Sequence, residues 1–115
     1  MKKESDAILL RIFISESDKY EGKPLSKYIV EFFKQEGLAG ATVLRGISGF
    51  GKTSQLHTTS ILRLSDDLPI VIEVVDRKEN IDRVKPRLGK IVKEGLITEE
   101  EVKIVSRQLN VVHLS

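Results

Sequence analysis

The chain contains no cysteine, which removes disulfides, thiolate metal sites and a cysteine nucleophile, and makes a cytoplasmic address the simplest expectation. Histidine is nearly as scarce. His57 and His113 stand far apart, neither has the neighbours a zinc site requires, and no metal site is expected. Nowhere do about 18 apolar residues follow one another, the length a membrane helix needs. The opening MKKESDAILLRIF does not read as a signal peptide, because Glu4 and Asp6 interrupt its basic start and Arg11 splits its apolar run. A charge excess is absent too: 19 Lys plus Arg face 17 Asp plus Glu, interleaved so that no basic face is offered to nucleic acid. No serine has a local histidine or a nucleophile elbow, so acyl transfer has no support.

What is present is a chain of 115 residues, enough for one domain (1–115) that buries roughly two-thirds of its unfolded surface. AILLRIFIS, 7–15, reads as a first strand. ESDKYEGK is a polar turn. Pro24 suits the first turn of a helix in which Leu25, Ile29, Phe32 and Phe33 form an apolar stripe, and Gly37 is its natural stop. AGATVLRGI gives a second strand centred on Val43 and Leu44. IVIEVVD, 70–76, is the strongest strand signal in the chain. Ile81, Val84, Leu88, Ile91 and Val92 then mark a second amphipathic helix closed by Gly95. Pro86 is awkward inside it, since a mid-helix proline costs on the order of 3 kcal/mol. EVKIVS, 101–106, is expected as a short last strand. The order predicts an α+β, ferredoxin-like βαββαβ domain: a four-stranded, mainly antiparallel sheet with two helices on one face. If alternate positions in AILLRIFI and IVIEVV are apolar on both sides, the bare face is expected to be buried by another subunit, giving a homo-oligomer.

Between the second and third strands, GISGFGKT, 46–53, fits the phosphate-loop pattern G-x-x-x-x-G-K-[ST]. A hydrolytic phosphate loop needs a helix from its Lys-Thr onward. KTSQLHTTS offers none, because Thr53, Thr58 and Thr59 are weak helix formers and Leu56 is isolated. The stretch 52–65 reads instead as a mobile loop or a loose β-hairpin arm, with ILRL, 61–64, as its returning half. Gly46, Gly49 and Gly51, flanked by Arg45 and Lys52, could admit an anion to backbone amides or simply form a tight bend at a sheet edge, and spacing does not separate the two. Asp76 could imitate the metal-binding aspartate of a hydrolase, but a turn or cap before the second helix explains it better. Asp66 and Asp67 read as a solvated turn, His57 as a ligand contact or a solvated side chain, His113 as structural, and Tyr20 and Tyr28 as packing or binding residues.

The segment from Arg45 to Asp76 resembles domain-of-unknown-function family 190, whose members are P-II-like proteins, and GLITEEEVKIV, 95–105, resembles the end of that domain. Gly49, Phe50, Gly51, Lys52 and, more loosely, His57 are also similar to the opening of the long T-loop in P-II nitrogen-signalling proteins. The resemblance implies a homotrimer whose sheets face inward and whose inter-subunit clefts bind an adenine nucleotide, ATP, ADP or AMP. Carried over, Gly49, Phe50, Gly51 and Lys52 would line such a cleft, with Lys52 standing where P-II proteins carry arginine and Thr53 a weaker extension of the same turn; Arg45, Gly46 and His57 are the further nucleotide-binding candidates from the residues themselves. KEGLITEEE departs from the family's phosphate-gripping loop. Glu99, Glu100 and Glu101, read as loop residues, would repel phosphate, which shifts that role to Arg107 or favours a nucleotide with fewer phosphates. No tyrosine lies between Lys52 and Leu68, so uridylylation is not expected. The implied function is a non-enzymatic sensor that engages a protein partner, a membrane transporter or channel by family likeness, through the arm. The alternatives are a small P-loop-like phosphohydrolase and a structural trimer resembling CutA proteins without ligand.

Overall fold

The computed structural model describes residues 5–49 and 67–106. Strand β1 (Ser5–Ser15) is followed by a small hairpin of β2 (Lys19–Tyr20) and β3 (Lys23–Pro24), helix α1 (Leu25–Gln35), β4 (Thr42–Arg45), β5 (Pro69–Asp76), α2 (Lys78–Ile91) and β6 (Leu96–Ile104). The four long strands lie in the order β4-β5-β1-β6, each antiparallel to its neighbours. That is the ferredoxin-like arrangement expected from the order of elements.

Alternation along β1 and β5 decides which face is covered. Ile8, Leu10, Ile12 and Ile14 of β1 and Ile70, Ile72 and Val74 of β5 are buried in one cluster with Leu25, Ile29, Phe32 and Phe33 of α1 and Ile81, Val84, Leu88 and Ile91 of α2. Both helices therefore occupy the same face, each through its apolar stripe. Gly37, at φ 81°, stops α1 in a Schellman arrangement in which Leu38 N donates to Phe33 O and Gly37 N to Lys34 O, both at 3.1 Å. Pro86 lies inside α2 on its exposed side, where the Asp82 carbonyl that loses its partner can be hydrated.

Two details differ from the sequence expectation. The polar turn after β1 contains a hairpin, because Glu21 and Gly22 take φ of 52° and 81°, the geometry of a type I′ turn whose twist matches paired strands. The last strand begins at Leu96 rather than Glu101, so Glu99, Glu100 and Glu101 belong to a ladder with β1, opposite Leu10, Leu9 and Ile8. Acidic residues are poor strand formers, but the eleven residues of β1 extend far enough to pair them. Nearby cations also offset their charge. Lys85 Nζ lies 2.6 Å from Glu99, and Arg11 Nη1 lies 3.1 Å from Glu100. The hydrogen bond to Glu99 holds the Lys85 ammonium above its usual range, so this link is present at neutral pH and is lost as the pH rises through that raised value. The three acids are thus not a loop facing a phosphate, and the repulsion expected of them loses its basis.

Gly95 makes the turn into β6. A Cβ placed there would lie 2.7 Å from Phe13 O and 2.9 Å from Val92 Cγ1. Gly89, in the last turn of α2 and exposed, has nothing within 4 Å. Gly95→Ala should therefore destabilise the domain by about 1–3 kcal/mol and Gly89→Ala stabilise it by about 0.5–1 kcal/mol. Urea midpoints of the two variants check the opposite signs.

Candidate functional site

The second face of the sheet carries no helix. Register places Leu44, Val71, Phe13 and Leu96 in one apolar rung across all four strands, and Thr42, Glu73, Arg11 and Thr98 in the next. Leu44 is 47 % and Leu96 56 % exposed. At the centre of this face Arg11 Nε donates to Glu73 Oε2 at 2.8 Å and Nη1 to Glu100 Oε1 at 3.1 Å. The hydrogen bond to Glu73 raises the Arg11 pKa further above its already high value, against the effect of partial desolvation.

Strand β4, at the edge of this sheet, has a feature at each end. Its exit is the glycine bend. Gly46 N donates to Pro69 O at 2.7 Å, and a Cβ on Gly46 would meet Pro69 Cγ at 2.7 Å. Gly49 takes φ 145°, and its Cβ would lie 3.2 Å from the same ring atom. Both glycines are needed because the chain lies directly on Pro69, which is the tight bend allowed by the sequence. The amide of Gly46 points into the sheet, not outward to an anion. Arg45 forms a two-pronged ion pair with Glu16, Nε to Oε2 at 2.9 Å and Nη2 to Oε1 at 3.3 Å. Of the sequence-predicted site residues, the structure brings together Arg45, Gly46 and Gly49. Phe50, Gly51, Lys52, Thr53, His57 and Arg107 lie outside the described residues, as does the arm 52–65.

The entry to β4 lines a cavity of about 490 Å³ that sequence reasoning missed. Ala39, Gly40, Ala41 and Thr42 form one wall; Glu73, Val74 and Val75 of β5 form another, and Ile104 at the end of β6 and Ser106 just after it close the space. The small-residue run AGAT is the only local signal for it; the other walls arrive from distant parts of the chain. Asp67, the described half of the expected acidic turn, accepts from Ser17 Oγ at 2.9 Å. Asp76, at 4 % exposure, ends β5 and accepts from Arg77 N, Asn80 Nδ2 and Ala39 N. This is the turn role expected of it. Tyr20 and Tyr28 stack edge-on with centroids 4.6 Å apart, packing residues in this structure. Among the described residues there is no cluster of His, Asp or Glu able to hold a metal, and no helix is long and apolar enough to cross a membrane.

The family model described as "Uncharacterized ACR", DUF190, matches residues 7–104. The chain belongs to the DUF190 family. Two relatives agree: a UPF0166 protein of Aquifex aeolicus is 45% identical over 98 residues, covering 84% of this chain and 91% of its own. A second, from Methanocaldococcus jannaschii, is 46% identical over 92 residues, covering 79% and 84%. Among solved structures, this DUF190 chain is similar in fold to CPII of Thiomonas intermedia, a nitrogen regulatory PII-like protein. One CPII structure, bound to ADP, AMP and bicarbonate, superposes with TM-score 0.67 at 15% identity over 90% of this chain and 92% of that one. A putative PII-like signaling protein of Thermus thermophilus gives TM-score 0.60 at 23% identity, covering 89% and 91%. The DUF190 chain thus has a PII-like fold.

The close seating of the bend predicts that Gly46→Ala, which drives a methyl group into the Pro69 ring, lowers stability by about 1–3 kcal/mol, and that Pro69→Ala, by opening that space, reduces the penalty in the double variant. A double-mutant cycle of thermal or urea unfolding measures the coupling.

Proposed function

We propose that this chain is a non-enzymatic PII-like signalling protein that binds an adenine nucleotide at clefts between the subunits of a homotrimer, and that the stretch 52–65 engages a protein partner in response. The observation that carries this reading is the cavity of about 490 Å³ at the head of β4, opening beside an uncovered apolar sheet face. Its size falls in the range of small-molecule sites. Its lining of backbone, the Thr42 hydroxyl, the Glu73 carboxylate and the apolar Val75 and Ile104 suits a flat base with an amino group to donate. The comparison adds support, since CPII of this fold was solved with ADP and AMP.

Within one protomer the cavity and the glycine bend lie at opposite ends of β4. A cleft that uses both joins the cavity of one copy to the bend of its neighbour, with Gly49, Phe50, Gly51, Lys52 and Thr53 meeting phosphates there and His57 and Arg107 as further contacts. Arg45 joins them by exchanging Glu16 for phosphate, which is inexpensive because exposed ion pairs stabilise little. The partner is a membrane transporter or channel by family likeness, and the protein acts in the cytoplasm. Binding favours whichever arrangement of the chain makes more contacts with the nucleotide, a population shift rather than a chemical step.

Asp76 speaks against hydrolysis: the carboxylate at the end of the strand, which a hydrolytic loop would turn toward magnesium, is buried and accepts from Ala39 N, Arg77 N and Asn80 Nδ2 instead.

Calorimetric titration with ATP, ADP and AMP should give saturable heat from at least one of them, with no phosphate release in the presence of magnesium. Silence from all three at millimolar concentration refutes binding, and magnesium-dependent turnover abolished in Lys52→Ala refutes the non-enzymatic role. Glu16→Gln, which leaves Arg45 without its carboxylate partner, should tighten nucleotide binding severalfold. An unchanged affinity removes Arg45 from the site.

A further inference from the structure

The wall of the cavity between α1 and β4 is almost pure backbone. Ala39 and Ala41 contribute only methyl groups and Gly40 nothing, so the shape offered to a ligand depends on where this stretch of chain is held. A carboxylate holds it from behind. Ala39 N donates to Asp76 Oδ2 at 2.8 Å, while Asp76 Oδ1 accepts from Arg77 N at 2.7 Å and from Asn80 Nδ2 at 2.8 Å. Asp76 is the last residue of β5, one position beyond Val75; Glu73, Val74 and Val75 line the cavity and Asp76 does not, so it holds the wall through Ala39 from outside the space. The chain of contacts continues: Asn80 Oδ1 accepts from Arg83 Nη1 at 2.8 Å, and Arg83 Nη2 donates to the Glu36 carbonyl at the end of α1.

We propose that Asp76 is a positioning residue for the ligand cavity. It fixes the path of residues 39–42 relative to Glu73 and Val75, and so sets the affinity for the nucleotide without contacting it. This inference rests on the assignment of the cavity to the nucleotide. The two carboxylate oxygens have separable roles, and that makes the inference testable. In Asp76→Asn the amide oxygen goes where two donors converge, on Arg77 N and Asn80 Nδ2, leaving the NH2 group facing the N–H of Ala39. Donor against donor, the link to the wall is lost while the turn into α2 keeps its acceptor. Asn80→Ala does the reverse: it removes a bond on the α2 side and leaves Ala39 attached.

The test is calorimetric titration of ADP into the wild type, Asp76→Asn and Asn80→Ala, with unfolding midpoints for all three. Asp76→Asn is expected to bind ADP about tenfold more weakly, the scale of one hydrogen bond to a charged group, while Asn80→Ala loses stability and keeps its affinity. The amide resonance of Ala39 should move when ADP is added to the wild type and shift upfield in Asp76→Asn. No binding by the wild type refutes the assignment of the cavity. Wild-type binding with an equal affinity in Asp76→Asn, or an equal loss in Asn80→Ala, overturns the positioning role alone. If Asp76→Asn does not fold, Ala39→Pro deletes the same bond from the donor side, and the same tenfold loss is expected in the same titration.

Discussion

A four-stranded sheet has two faces, and this chain has helices for one. That inequality governs the rest of the structure. On the covered side, isoleucine and leucine from β1 and β5 close against the stripes of α1 and α2 and are almost fully buried. On the other, Leu44, Val71, Phe13 and Leu96 form a rung that stays half open to water, beside an ion-paired rung of Arg11 and Glu73. An exposed apolar rung of this kind marks a surface for contact with another molecule. The charges beside it narrow what can make that contact: Arg11 carries two acids, Glu73 and Glu100, and burying a charge cluster is tolerable only where pairing is retained. In the proposed homotrimer, a second copy of the same chain would take that place.

β4 gains its importance from the same geometry. It is the short edge strand of the sheet, four residues long, with exposed apolar side chains on both faces in Val43 and Leu44. One of its ends rests on Pro69 through two glycines; the other leads out of the wall that Asp76 holds. Whatever occupies the cavity at one end and whatever meets the bend at the other are mechanically joined through a single strand and its ladder with β5.

Much of the fold was legible in the sequence because its signals are local. The period of Leu25, Ile29, Phe32 and Phe33, the stop at Gly37 and the apolar run from Ile70 all report on neighbours a few residues away. The start of β6 was not legible, because Glu99 to Glu101 oppose a strand by composition and are recruited by the length of β1 and by Lys85 and Arg11, which are remote in sequence. The candidate site divides the same way. The glycine bend announces itself as a pattern, yet no pattern tells where an amide points, and Gly46 N turns out to serve Pro69 O. The cavity was hidden because its walls come from 39–42, 73–75, Ile104 and Ser106, which are remote in sequence and meet only in the fold. Asp76 was read correctly as a turn residue, but its bond to Ala39 spans 37 positions.

The uncovered face is the premise on which the clefts, the nucleotide and the role of β4 all rest, and the mass of the particle in solution tests it most directly. Light scattering coupled to gel filtration at micromolar concentration should give the mass of three chains, and Phe13→Asp, placed in the centre of the apolar rung, should give one. A wild-type particle with the mass of a single chain would contradict the account.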